Sequence, residues 1–174
     1  GVALVVDLRG AGAGRAGAQL FLLERGLRVA DVIVSADIGW DPARALARID
    51  ALTKVPNRMQ FQHLLQRALA RARRGKHRLA LIYMDVDKFK EINDTKGHAV
   101  GDRVLVAIAS VLDSQARTGE EVFRIGGDEF AVVVRGGADA AARAAERFRQ
   151  AVESFDGPEA LPAISVGVAS FPDH

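Results

Sequence analysis

Two acidic segments of the chain carry the residue types that could hold a metal ion. Asp85 and Asp87 end a nearly all-apolar segment, and Asp128 and Glu129 follow a pair of glycines. An ionised Asp85 at the end of a buried strand is costly unless a cation or a hydrogen-bond donor pairs with it. Carboxylate oxygens without accompanying His or Cys ligands select Mg²⁺ or Mn²⁺, and protein-bound Mg²⁺ usually shares its shell with substrate phosphates. The pattern therefore indicates metal-assisted chemistry on a phosphate compound.

Residues near these carboxylates could bind the rest of a nucleotide. Gly126 and Gly127 let the backbone approach a ligand closely, and Lys90 could neutralise phosphate charge. Asn93 and Asp102 could read the donor and acceptor edge of a purine, most naturally guanine. Each feature has an ordinary alternative, such as a tight turn for the two glycines, but the ordinary alternatives together require many coincidences.

A sheet has to bring these residues together. Hydrophobic periodicity and turn residues predict helices over 58–74, 101–116 and 138–155, and strands over 79–85, 122–125, 130–134 and 162–171. The strand over 79–85 is nearly all apolar and should be buried on both faces. The order helix, strand, helix, helix, hairpin, helix, strand predicts an α/β (α+β) fold with a mixed central sheet and helices packed on it, close to the ferredoxin-like plan. If the hairpin flanks the strand over 79–85, Asp85 and Asp128 converge at one edge.

Composition excludes several classes of protein. The 174 residues include no cysteine, which rules out zinc ribbons, thiol nucleophiles and disulfide scaffolds. No apolar segment reaches about 18 residues and the sequence opens without a basic leader, so we expect no membrane span, no secretion signal and a cytoplasmic location. The 24 basic and 22 acidic residues are too balanced to indicate a nucleic-acid partner. The basic end of the helix over 58–74 is interpreted as a solvated helix end.

Residues 1–49 form a separate region in the predicted organisation. Strands over 2–8 and 29–37 alternate with helices over 18–26 and 41–49, which suggests a fragment of a parallel α/β unit. The glycines at 12, 14 and 17 match GxGxxG, but a flexible Ala/Gly turn is favoured over a dinucleotide site. The region faintly resembles the back half of a response-regulator receiver domain, with Asp7 and Ser35 at strand ends. We expect it to be the last part of an N-terminal sensor plus a linker, followed by a second domain over 50–174.

The second domain resembles a known family. Residues 124–130 match the RxGGDEF motif of the GGDEF domain, the diguanylate cyclase family. Residues 50–58 resemble its entry motif DxLTGLPNR, with Lys54 and Val55 replacing Gly-Leu. Residues 85–102 resemble the block DxDxFKxIND…GHxxGD, and residues 164–169 resemble the ISxGxA strand. The resemblance runs from Asp50 to about Pro172 and implies a palm-type nucleotidyl cyclase fold.

The resemblance also implies a reaction and a set of site residues. Two GTP molecules condense into cyclic di-GMP with release of pyrophosphate across a homodimer, because each domain holds one GTP. Mg²⁺ or Mn²⁺ is held by Asp85, the Val86 carbonyl, Asp128 and Glu129. Catalysis is assigned to Asp128, Glu129 and Lys90, and substrate binding to Phe89, Asn93, His98 and Asp102.

The sequence departs from the family pattern at two further places. The family's inhibitory product site RxxD is replaced by an RxxE formed by Arg117 and Glu120, with Arg147 as the further arginine, so cyclic di-GMP binding there is an open expectation. The family's C-terminal helix, whose lysine and arginine grip the triphosphate, does not fall within the 174 residues. Two alternatives stay open: a non-catalytic GGDEF module that binds GTP or cyclic di-GMP to regulate a partner domain, and an unrelated Mg²⁺ nucleotidyltransferase with a palm-like sheet.

Overall fold

A computed structural model describes residues 15–19, 31–35, 48–75 and 77–172. Its elements, in chain order, are β1 (Arg15–Gln19), β2 (Asp31–Ser35), α1 (Arg58–Gly75), β3 (Leu79–Val86), α2 (Phe89–Lys96), α3 (His98–Gln115), β4 (Glu121–Arg124), β5 (Glu129–Arg135), α4 (Ala138–Glu153) and β6 (Ile164–Phe171). The predicted order of helices and strands from residue 58 onward is confirmed. No helix in the described ranges is long and apolar enough to cross a membrane.

Four strands form the central sheet, in the order β4-β5-β3-β6. Each neighbouring pair is antiparallel, where a mixed sheet was expected. Helices α2 and α3 connect β3 to β4, and α4 connects β5 to β6, so each connection passes over one intervening strand. The two strands that each connection joins are parallel to each other, and the strand between them is antiparallel to both. The α+β, ferredoxin-like fold class is confirmed.

Strand β3 is buried on both faces, as its apolar sequence predicts. Alternate side chains of a strand point to opposite faces, and the two sets join two different hydrophobic clusters. Ile82 and Met84 pack in the cluster that contains side chains of α3 and α4. Leu81 and Tyr83 pack in the cluster that contains Phe61 of α1. The end of β3 is therefore held rigidly between two helical layers.

The predicted hairpin is confirmed, and its two strands are β4 and β5. Arg124 pairs with Phe130 across the hairpin, and the Ile125 N–H donates to the Glu129 carbonyl at 2.9 Å. Residues 125–128 therefore form a short turn at the same edge of the sheet as the end of β3.

The described N-terminal residues form a strand pair, of which β1 was not predicted. β1 pairs antiparallel with β2, with Gly17 opposite Ile33, so Gly17 lies in a strand and not in a turn. Only residues 20–30 connect the two strands, and a parallel pair needs a crossover of a dozen residues or more. The strand predicted over 29–37 is confirmed by β2. Ala18 and Gln19 belong to β1, not to the helix predicted over 18–26.

Several N-terminal predictions lie outside the described residues. These are the strand over 2–8 with Asp7, the remainder of the helix over 18–26 and residues 41–47 of the helix over 41–49. Ile49, the last residue of that helix prediction, instead forms a β-bridge with Pro56.

Candidate active site

The acidic residues singled out in the sequence lie together at one edge of the sheet. Asp85 of β3 is directly opposite Glu129, the first residue of β5. Asp128 precedes Glu129, and its carbonyl accepts a hydrogen bond of 3.1 Å from the Val86 N–H. The predicted convergence of Asp85 and Asp128 is therefore what the strand register produces, although the two residues are far apart in sequence.

This edge concentrates negative charge. Burial, and then the charges of Asp128, Glu129 and Asp87, raise the pKa of Asp85 from 3.8 to about 7. This environment favours the protonated or cation-bound form of Asp85 over its bare carboxylate. The predicted metal donors, which are hard oxygens, fit Mg²⁺ or Mn²⁺ by their chemistry.

The carboxylates do not form a complete metal cage by themselves. Within the described ranges, no group of three or more acidic or histidine side chains is arranged to hold a metal ion. Mg²⁺ commonly takes one or two protein carboxylates and completes its shell with water and substrate phosphates. The arrangement therefore fits a cation that arrives with a nucleotide.

The two oxygens of the Glu129 carboxylate have different neighbours. The Tyr83 hydroxyl donates a hydrogen bond to Glu129 Oε1. A Cβ built on Gly126 would lie 1.9 Å from Glu129 Oε2, so only glycine leaves room for this carboxylate. Burial, and then the hydrogen bond to Glu129, raise the pKa of Tyr83 far above its ordinary value of 10.0, so the hydroxyl remains a donor.

Sequence reasoning missed Tyr83. It lies two residues before Asp85 and thus on the same face of β3, which is the signal that could have indicated it.

Asp87 turns away from the other carboxylates toward β6. Its N–H donates to the Ala163 carbonyl at 2.9 Å, and its Oδ1 accepts a hydrogen bond of 2.6 Å from the Ser165 hydroxyl. Val86 between them is 1% exposed, so its side chain belongs to the core. These contacts fix the backbone just after β3, where the predicted Val86 carbonyl ligand lies.

The predicted guanine-reading residues lie on α2 and α3. A Cβ on Gly101 would lie 2.0 Å from Asn93 Oδ1 and 3.2 Å from Phe89 Cζ. The missing side chain at Gly101 therefore lets Asn93 and Phe89 approach α3 closely. His98 begins α3 and Asp102 follows one turn later on the same side of the helix.

Solvent reaches the polar residues of this region. Lys90, His98 and Asp102 are exposed, and Asn93 is partly buried. A ligand could reach all four without displacing the core.

The entry segment is tied directly to the hairpin. Arg124 Nη1 lies 2.8 Å from Asp50 Oδ1, and Arg124 Nη2 donates to the Gly127 carbonyl at 2.7 Å. Asp50 Oδ1 also accepts hydrogen bonds from the Thr53 N–H and hydroxyl, at 2.8 and 2.7 Å. The two motifs were identified separately in the sequence, which did not reveal that they contact each other.

The residues of the predicted product site are also close together. Arg147 Nη2 lies 2.5 Å from Glu120 Oε2, and the same oxygen accepts a hydrogen bond of 2.9 Å from the Arg117 N–H. The Arg117 residue itself is exposed. Glu120 thus links α4 to the loop before β4 through its carboxylate.

A cavity of about 420 Å³ lies beside this loop, and Glu120 is one of its lining residues. Arg67 and Arg71 from the basic end of α1, and Arg135 at the end of β5, also line it.

Comparison with known proteins identifies what this domain is similar to. The family model described as diguanylate cyclase, GGDEF domain, matches residues 47–174. Diguanylate cyclase TpbB of Pseudomonas aeruginosa is 42% identical over 135 residues, which cover 74% of this chain and 31% of that protein. Diguanylate cyclase DosC of Escherichia coli K12 is 35% identical over 161 residues, which cover 88% of this chain and 35% of that protein. The chain thus spans about a third of the length of these curated relatives.

Solved structures show the same fold. The GGDEF domain of YfiN, or TpbB, from Pseudomonas aeruginosa matches with a TM-score of 0.66 and 40% identity, over 71% of this chain and 80% of that one. The GGDEF domain of DgcB from Caulobacter crescentus, solved in complex with c-di-GMP, matches with a TM-score of 0.67 and 33% identity, over 77% of this chain and 80% of that one.

Proposed function

Because the chain belongs to the diguanylate cyclase, GGDEF domain family, we propose that it condenses two molecules of GTP into cyclic di-GMP and releases two pyrophosphates. The observation that carries this proposal is the register of β3 and β5, which places Asp85 opposite Glu129 with Asp128 beside them. A cluster of carboxylates at an open edge of a rigid sheet suits phosphoryl transfer, in which positioning and charge neutralisation supply most of the catalysis.

Each residue of the site has a proposed role in the transfer. Asp85, the Val86 carbonyl, Asp128 and Glu129 would hold Mg²⁺ or Mn²⁺, which when bound neutralises phosphate charge. Asp128 accepts the proton of the 3′-hydroxyl.

The 3′-oxygen of one GTP then bonds to the α-phosphorus of the other. The bond from that phosphorus to pyrophosphate breaks, and the second transfer closes the ring. Lys90 is proposed to stabilise the charge on the phosphates.

The helical side of the site would bind the base. Asn93 and Asp102 would pair with the edge of guanine, with Phe89 and His98 lining the same region. The close approach of Asn93 to Gly101 supports this role, because it fixes the amide beside the helix that carries Asp102.

Catalysis needs two copies of the domain. Each domain would bind one GTP, so two sites must face each other in a homodimer. The exposure of Lys90, His98 and Asp102 supports this arrangement, because a second domain can approach them. Since GTP is supplied by the cytoplasm, we place the reaction there.

Product feedback is proposed at Arg117, Glu120 and Arg147. Guanidinium groups offer paired donors that suit phosphate and the Hoogsteen edge of guanine. Cyclic di-GMP would have to compete with Glu120 for Arg147, since those two side chains are already paired.

The direct test is to incubate the protein with GTP and Mg²⁺ and to resolve the nucleotides by chromatography. We expect one cyclic di-GMP for every two pyrophosphates, with ATP left unchanged in a parallel reaction. GTP that is bound but not converted would contradict the proposal and would indicate a nucleotide-binding regulatory module.

A further inference from the structure

Tyr83 is a buried polar residue that lies directly beneath the carboxylate cluster. Tyr83 is 7% exposed, and it lies opposite Ala131 of β5 and Gly167 of β6. The ring packs in the cluster that contains Phe61, whereas the hydroxyl reaches Glu129 Oε1. The side chain therefore joins the core to one oxygen of a residue at the site.

The two oxygens of Glu129 have different surroundings. Oε1 accepts the hydrogen bond from Tyr83, and Oε2 occupies the space that a side chain at Gly126 would fill. The Tyr83 hydroxyl thus orients the carboxylate through Oε1, and the missing Cβ at Gly126 leaves the space that Oε2 occupies.

We propose that Tyr83 is a positioning residue for the divalent cation: its hydroxyl holds Glu129 Oε1 so that Oε2 stays available to the metal. This inference rests on the proposed function, in which Glu129 is a metal ligand. Hydrogen-bonded partners of metal ligands orient them, and their removal typically lowers metal affinity by 10- to 100-fold.

Repulsion among the carboxylates explains why Glu129 needs such a partner. Asp85 lies directly opposite Glu129 in the strand register, and Asp128 is the residue that precedes Glu129 in the chain. Without a donor, Glu129 would relieve the repulsion by turning toward solvent. A hydrogen bond from a rigid, core-packed ring prevents this movement, because the ring cannot follow the carboxylate.

Tyr83→Phe tests the inference because it removes the hydroxyl and keeps the ring. We expect Mn²⁺ affinity, measured by electron paramagnetic resonance with a non-hydrolysable GTP analogue present, to fall about tenfold. The Mg²⁺ dependence of cyclic di-GMP formation should move to higher concentration, while the rate at saturating Mg²⁺ stays near that of the parent. An Mn²⁺ affinity equal to that of the parent would overturn the inference.

Leu81→Met is the matched packing control. Leu81 lies two residues earlier on the same face of β3, and the substitution nearly conserves volume. It should leave Mn²⁺ affinity unchanged, and an equal loss in this variant and in Tyr83→Phe would assign the effect to packing and overturn the inference.

Combination with Glu129→Gln tests whether Tyr83 acts through Glu129. In that background Tyr83→Phe should cause no further loss of Mn²⁺ affinity, and an undiminished loss would contradict the proposed route.

The two proposals fail in distinguishable ways. If the parent makes cyclic di-GMP and Tyr83→Phe binds Mn²⁺ as the parent does, only the role of Tyr83 is refuted. If Tyr83→Phe weakens Mn²⁺ binding but the parent converts no GTP, the positioning role stands and the cyclase activity is refuted.

Discussion

Replacing Gly101 by Ala should damage guanine binding while it leaves the carboxylate edge unchanged. The new Cβ would lie 2.0 Å from Asn93 Oδ1 and 3.2 Å from Phe89 Cζ. Ordinary contact begins at 3.4 Å, so the Asn93 amide would have to move by more than 1 Å. A buried polar partner left unpaired costs about 1–3 kcal/mol. The expected loss of GTP affinity is therefore roughly 5- to 150-fold.

Stability should change much less than affinity in this variant. Gly101 lies inside α3, where Ala is favoured over Gly by up to about 1 kcal/mol, which offsets part of the cost of moving Asn93. Calorimetric titration with GTP and ATP, together with thermal unfolding, separates the two effects. We expect a weakened preference for GTP over ATP and a melting temperature within a few degrees of the parent.

Asn93→Ala provides the internal control, because it removes the atom that Gly101→Ala would strike. The double variant should bind GTP about as weakly as Asn93→Ala alone. An unchanged GTP affinity in Gly101→Ala, or additive losses in the double variant, would refute the placement of Asn93 in the guanine site.

Three further outcomes are expected. Arg124→Lys should lower the free energy of unfolding in urea by about 1–2 kcal/mol, because a partly exposed ion pair with Asp50 and a forked contact to the hairpin are lost. An unchanged urea midpoint would contradict this. Burial raises the pKa of Asp50, but hydrogen bonds from Thr53 and Arg124 outweigh it and hold that pKa below 3.8. The stability that Asp50 adds over Asp50→Asn should be present above pH 3.8 and vanish as the pH falls through the folded pKa; a constant difference across that range would be inconsistent with it. In titrations with cyclic di-GMP, Glu120→Asp should bind more tightly than the parent and Arg117→Ala should not bind, and parental binding by Arg117→Ala would place the product elsewhere.

Local signals account for the part of the fold that was predicted. The apolar run over 79–85 identifies a strand buried on both faces, and the glycine pair at 126–127 identifies the turn of a hairpin. Once those strands are neighbours, Asp85 and Glu129 come opposite each other through register alone. The convergence of the carboxylates therefore depends on one long-range feature only, the pairing of β3 with β5.

Long-range contacts account for what was missed. The ion pair between Asp50 and Arg124 joins residues 74 positions apart, and the hydrogen bond from Tyr83 to Glu129 joins residues 46 apart. Neither pairing leaves a periodic pattern, because each depends on how two separately folded segments are docked. Strand β1 was missed for a different, local reason, because the Ala/Gly-rich composition around Gly17 resembles that of a turn.

We propose that the carboxylates at the end of β3 and around the start of β5 carry out the synthesis of cyclic di-GMP. The most direct test of this proposal is the rate of cyclic di-GMP formation from GTP and Mg²⁺ by the parent and by Asp128→Ala, with circular dichroism recorded on both. We predict formation by the parent, none by the variant, and equal spectra, because Asp128 serves the site and not the core. Retained activity in Asp128→Ala, or its failure to fold, would contradict the account.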